Sequence, residues 1–164
     1  MKHMRVFYIV QAAMIAAVYV VVTFLFAPFG FGEIQVRISE ALTILPAFTP
    51  AAVPGLFIGC LLGNFLGGAV LPDILFGSIA TLLGAMGTYF LRRRSRFLAP
   101  LPPILSNTII VPLVLRYAYS ILLPVPFLML TVGIGEVISC GVLGLLLATV
   151  LEKYRAQIFP SSTR

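Results

Sequence analysis

The chain has 164 residues, 60% of them hydrophobic and only 10% charged, with a mean hydropathy of +1.11. Ordinary soluble domains carry about 25% charge, so this composition excludes a soluble enzyme or binding module and indicates an integral membrane protein. The net charge of +6 sits in short basic clusters beside apolar runs, the pattern of cytoplasmic loops; membrane lipid is an expected partner and nucleic acid is not.

Residues 6–27 form an apolar run whose polar interruptions are Gln11, Tyr19 and Thr23, long enough to span a bilayer. Lys2 and Arg5 precede it, which predicts a cytoplasmic N-terminus. The run lacks a small-residue cleavage site and is expected to stay as an anchor. Within it, Ala12 with Ala16 and Ala13 with Ala17 form small-xxx-small pairs. Such pairs serve either internal packing or the docking of a partner helix.

The stretch 32–68, GEIQVRISEALTILPAFTPAAVPGLFIGCLLGNFLGG, organises the rest. It opens on the charges Glu33, Arg37 and Glu40, with Gln35 among them, and runs into apolar sequence broken by Pro46, Pro50 and Pro54. It ends on a glycine ladder of Gly55, Gly59, Gly63 and Gly67, spaced by fours. Polar residues held at a membrane edge are expensive and functional by default. Glycines at i, i+4 give one helix face where another backbone approaches closely. The stretch therefore reads as a binding mouth joined to a packing seam.

Further apolar runs cover 72–91, 101–121 and 125–151. The block 38–69 is too long for one span and short for two, and charge parity decides between them. Arg92, Arg93, Arg94 and Arg96 form the densest basic cluster and belong inside with Arg5, so an even number of crossings separates them. The middle block must then cross twice, as 34–48 and 54–69, with Pro50 in the turn and Pro54 at a helix start. The expected fold is an all-α bundle of six transmembrane helices in a single domain, 1–164, with spans 6–27, 34–48, 54–69, 72–91, 101–121 and 125–151. Both termini are cytoplasmic, where Lys153 and Arg155 also lie. The 34–48 helix is too short to cross a ~30 Å core alone; it must be surrounded by protein or dip partway.

This topology places Glu33, Arg37, Glu40, Asp73 and Arg116 toward the outer surface, and Asn107 and Glu136 within spans. Glu136 lies deepest, roughly 15 Å from the outer end of its helix, on one row with Cys140, Gly144 and Ala148. A charge there costs at least ~2.5 kcal/mol, so it either reads a ligand or pairs with Arg116 or Asn107 for structure alone. Cys60 and Cys140 fall in apolar runs and read as buried free thiols. The single histidine, His3, is in the N-terminal flank, so no serine or cysteine has a base. Metal-ligand spacing and a Gly-rich nucleotide loop are both missing. No catalysis and no cofactor are expected. Any active transport by a chain without a nucleotide loop would draw on an ion gradient or on another subunit.

The run from Gly32 to Asn64, with DILFGS and LAPLPP after it, resembles the QueT family of substrate-binding S components of energy-coupling factor (ECF) transporters. The resemblance covers nearly the whole chain. It implies a six-helix subunit of the bacterial cell membrane that binds a queuosine precursor, a 7-deazaguanine, from outside. It also implies partners, a transmembrane coupling protein and two ATPases, met chiefly through an alanine motif matched here by Ala12, Ala13, Ala16 and Ala17. A guanine-like ring suits these residues: a carboxylate, Glu136 first and Glu40 second, accepts its adjacent N–H donors, and Asn107 or Arg116 donates to its carbonyl. Glu40, Glu33 or Asp73 can pair with an aminomethyl group, Arg37 shares the mouth, and Phe29, Phe31, Tyr117, Tyr119 or Phe127 can stack on the ring. Two other classes compete: a proton-coupled secondary carrier built on Glu136, and a structural membrane subunit without a ligand.

Overall fold

The computed structural model describes residues 2–26, 36–95 and 97–159. Glu33, Phe29, Phe31 and Arg96, singled out above, lie outside the described residues. Among the described residues the regular structure is all helical. We label α1 Lys2–Leu25, α2 Ile38–Ala47, α3 Ala52–Leu66, α4 Leu71–Leu91, α5 Leu101–Tyr117, α6 Val125–Lys153 and the short α7 Arg155–Ile158. Three helices are long and apolar enough to cross a membrane: α1 over Met4–Leu25, α4, and α6. Three shorter apolar ones, α2, α3 and α5, complete the bundle. Prolines at the first turns of α4, α5 and α6 fall where a missing N–H is harmless.

Glycine and proline set how closely the helices approach. A Cβ on Gly55 would lie 2.7 Å from the Ala12 carbonyl, and one on Gly59 would lie 2.8 Å from Tyr19 Cβ and 3.1 Å from Ala16 Cα. The ladder on α3 thus receives the backbone of α1, and the two run parallel. Antiparallel to α4, α5 brings Pro103 within 2.6 Å of where a Cβ of Gly84 would stand. Thr88 bonds the Ala99 carbonyl and Ser106 the Ala80 carbonyl across the same seam.

The short second helix is a 3₁₀ helix of 10 residues. At about 2.0 Å per residue against 1.5 Å for an α-helix, it reaches further than its length suggests. It lies among α1, α3, α4 and α6, and its residues Ser39, Glu40, Ala41, Thr43, Ile44, Leu45 and Pro46 are buried. Of the two sequence-based options, being surrounded by protein is the one observed. With i→i+3 bonding, residues three apart eclipse, so Arg37, Glu40, Thr43 and Pro46 form one row.

α6 contains a π-helical turn at Val137–Leu143 between α-helical halves Val125–Glu136 and Gly144–Lys153. The upper half packs on α5 through Gly133 and Thr108, and the lower half on α2 through Gly144 and the Ala41 carbonyl. The charges separate along the bundle. Arg5, Arg92, Arg93, Arg94, Lys153 and Arg155 lie where α1 begins and where α4 and α6 end; Arg37 and Arg116 lie toward the opposite end.

Candidate functional site

The first turn of the 3₁₀ helix delivers Glu40 to the centre of the bundle, where it is 1% exposed. Donors from three other helices meet it. The Tyr19 hydroxyl of α1 donates to Glu40 Oε1, Thr81 of α4 reaches the same oxygen at 3.3 Å, and the Asn107 amide of α5 donates to Oε2 at 3.4 Å. Glu40 was read above as an outer residue. Packing from three helices, not depth along its own, makes it a core one.

Glu136 sits beside it, 3% exposed, at the junction of α6 with its π turn. Such turns recur at functional sites because they re-aim side chains within a helix. The Cys140 thiol donates to Glu136 Oε2 at 3.1 Å and lies 3.5 Å from the Glu40 carbonyl. The Thr43 hydroxyl donates to that carbonyl at 2.6 Å and stands 3.4 Å from Cys140 Sγ. Ligand atoms of Glu40, Glu136 and Cys140 all lie within 4.8 Å of one another, close enough to share one cation or one donor-rich ligand edge.

A second polar layer lies toward the end of the bundle that carries Arg37. Arg37 pairs with Asp73 at 3.6 Å, and the Tyr119 hydroxyl donates to Asp73 Oδ2 at 2.9 Å. Asp73 stands in the first turn of α4, where a helix N-terminus favours an anion. Its Oδ1, together with Thr108 Oγ1 and Ser139 Oγ, is a buried polar atom without a hydrogen-bond partner among the described residues.

Of the expected site residues, Glu40, Glu136 and Asn107 come together, and Arg37 and Asp73 pair above them. Arg116 instead donates to the Ile121 carbonyl at 3.0 Å, fastening the chain that follows its own helix. Tyr117 and Phe127 are exposed. Tyr19, Thr43 and Thr81 belong to the cluster and were missed. On α4 a stripe of Asp73, Gly77, Thr81 and Thr88, polar or small in an otherwise apolar helix, marks the inward face and was available as a signal.

The alanine pairs divide. Ala16 is buried in the α1–α3 seam, while Ala13 and Ala17 are exposed. All four line a shallow apolar groove between α1 and α3. Cys60 and Cys140 are free and buried.

Fold and site together define a membrane helical bundle with a cluster of polar groups buried at its centre. The family model described as QueT transporter matches residues 9–153, and the chain belongs to that family, which is one of transporters. A relative from Lactococcus lactis subsp. cremoris (strain MG1363), the Queuosine precursor transporter QueT, is 33% identical over 85 residues, or 51% of this chain and 50% of the relative. The matched stretch thus spans half the length of that curated relative. No solved structure matches.

Proposed function

We propose that this chain is the substrate-binding component of an ECF-type importer and takes up a queuosine precursor of the 7-deazaguanine class. The transporter family and the named substrate of the Lactococcus relative support the reading. The observation that carries it is the convergence of Glu40, Glu136 and Asn107 in the bundle interior. A guanine-like edge offers adjacent N–H and NH₂ donors, which one carboxylate accepts in bidentate fashion. Glu136 takes that edge, and the Asn107 amide donates to the base carbonyl. Glu40, already oriented by Tyr19 and Thr81, pairs with an aminomethyl group where the ligand carries one. Arg37, Asp73 and Tyr119 form the layer through which the ligand enters from outside.

In this reading the chain crosses the membrane six times, with both termini cytoplasmic. The gathering of arginines at one end of the bundle supports that orientation. ATP is hydrolysed by partner ATPases, and the coupling protein docks over Ala13 and Ala17 with Ala12 and Ala16 beneath. The test is calorimetric titration of the purified chain with an aminomethyl-7-deazaguanine. Glu136→Gln puts a donor against ligand donors and loses a charge-assisted bond, so affinity falls roughly tenfold to more than a hundredfold. Wild-type affinity in a folded Glu136→Gln protein overturns the assignment. The paired carboxylates also suit a proton-coupled carrier; uptake by the purified chain alone in proteoliposomes under a proton gradient favours that reading instead. A structural subunit binds no base at all.

A further inference from the structure

We propose that the arginine-rich end of the bundle holds the headgroup of an anionic phospholipid, with an acyl chain lying in the groove beside it. A cavity of about 710 Å³ opens where α2, α4 and α6 end and α5 begins. Arg92, Arg93, Arg94 and Arg155 line it against a single carboxylate, Glu152. That carboxylate is engaged by Arg155 at 3.2 Å. Arg92 is held in place, its guanidinium 3.6 Å from the Tyr89 ring centroid and donating to the Tyr89 carbonyl. A planar guanidinium fixed in this way presents its remaining N–H groups to a phosphate in a fork geometry.

The neighbouring surface explains why the anion belongs to a lipid. A second cavity of about 280 Å³ lies along α1 against Leu45 of α2, Leu151 of α6 and Ile158 of α7, walled mainly by apolar residues such as Phe7, Val10, Met14 and Val18, with Gln11 also lining it. From Phe7 to Val18 it follows α1 for about 16 Å at the usual helical rise, a length suited to part of an acyl chain. One aromatic pair separates the two cavities. Phe48 borders the basic one and Phe159 the apolar one, and their rings stack at 5.6 Å. Arg155 lies over the Phe48 ring at 5.8 Å. A charged compartment at the helix ends, opening beside an apolar trough along the helix sides, has the outline of a lipid at a membrane surface. A free phosphate uses only the first compartment, and an acidic protein segment has no need of the second. Anionic lipid is also abundant where basic residues gather beside a bilayer.

The test is thermal unfolding of the full chain in detergent micelles with added dioleoyl phosphatidylglycerol, dioleoyl phosphatidylcholine, inorganic phosphate or polyglutamate. Phosphatidylglycerol at a hundred times its Kd raises the unfolding midpoint by roughly 5–10 °C, and the other three additives do not. The double variant Arg92→Gln/Arg94→Gln loses the shift, Arg5→Gln outside the cavity keeps it, and Val10→Asn in the groove weakens it. Should the double variant not fold, the comparison of the four additives on the wild-type chain still decides. Equal shifts from phosphatidylcholine, from phosphate alone or from polyglutamate overturn the proposal. A phosphatidylglycerol shift that survives in the double variant overturns it as well.

Discussion

The glycine ladder of α3 makes a sharp prediction, because its members have the same spacing but not the same surroundings. A methyl group added at Gly59 would stand 2.8 Å from Tyr19 Cβ and 3.1 Å from Ala16 Cα, and one at Gly55 would stand 2.7 Å from the Ala12 carbonyl. Each contact is short of van der Waals distance by roughly half an ångström or more, and the obstructing atoms belong to or adjoin the α1 backbone, which cannot rotate aside. At Gly63 the nearest atom is Thr23 Cγ2 at 3.5 Å, an ordinary contact. Overpacking costs about 1–3 kcal/mol, and each kcal/mol moves the midpoint of a chain this size by about 2–4 °C. Gly55→Ala and Gly59→Ala therefore unfold roughly 2–12 °C below wild type. Gly63→Ala gains helix propensity worth up to ~1 kcal/mol and unfolds at the wild-type temperature or a few degrees above. Gly59→Ala also pushes on Tyr19, whose hydroxyl orients Glu40, so it weakens ligand binding where Gly63→Ala does not. Thermal unfolding of the three purified variants is the assay. A Gly63→Ala protein as unstable as Gly59→Ala, or a Gly59→Ala protein indistinguishable from wild type, refutes the close-approach argument.

For topology, Leu122→Cys reacts with an impermeant thiol reagent on intact cells and Ser95→Cys does not; labelling of Ser95→Cys from outside removes the six-crossing reading. Background is low because Cys60 and Cys140 are 0% and 1% exposed. For the partner surface, Ala13→Leu/Ala17→Leu prevents co-purification with the coupling subunits while leaving folding and ligand binding intact, whereas Ala16→Leu destabilises the chain itself; survival of the complex in the Ala13/Ala17 variant sinks the docking role. For the entry layer, Tyr119→Phe removes the hydroxyl that bonds Asp73 and changes ligand association and dissociation rates more than the unfolding temperature; unchanged rates exclude Tyr119 from the path.

Hydropathy made the apolar helices legible, and the glycine spacing identified the α3 seam, though not that α1 fills it. Glu136 stood out because its depth could be read along its own helix. Glu40 could not be placed the same way. Its partners Tyr19, Thr81 and Asn107 are 21, 41 and 67 residues away in sequence, and only tertiary packing brings them to it. Tyr19 looked like a mere polar interruption in an anchor helix for the same reason. The 3₁₀ form of α2 was also hidden. A run of ten such residues is uncommon, and its burial among four helices, rather than its propensity, accounts for it. Arg116 shows the converse: a cation in a promising sequence position is absorbed by the carbonyl of a nearby turn.

The π turn in α6 sets the rotational phase between two half-helices that answer to different neighbours. Above it Gly133 must face Thr108 of α5, and below it Gly144 must face Ala41 of α2. A π turn carries one residue more than an α turn, so forcing Val137–Leu143 into regular α-helix without shortening it would turn everything below by about 100° relative to everything above. Glu136 would keep its place, while Ala148, 5% exposed, would swing away from the core and a bulkier lipid-facing neighbour would take its position. The turn therefore works as a mechanical offset. It lets one continuous span satisfy two interfaces whose angular demands a uniform helix with the same number of residues could not meet together.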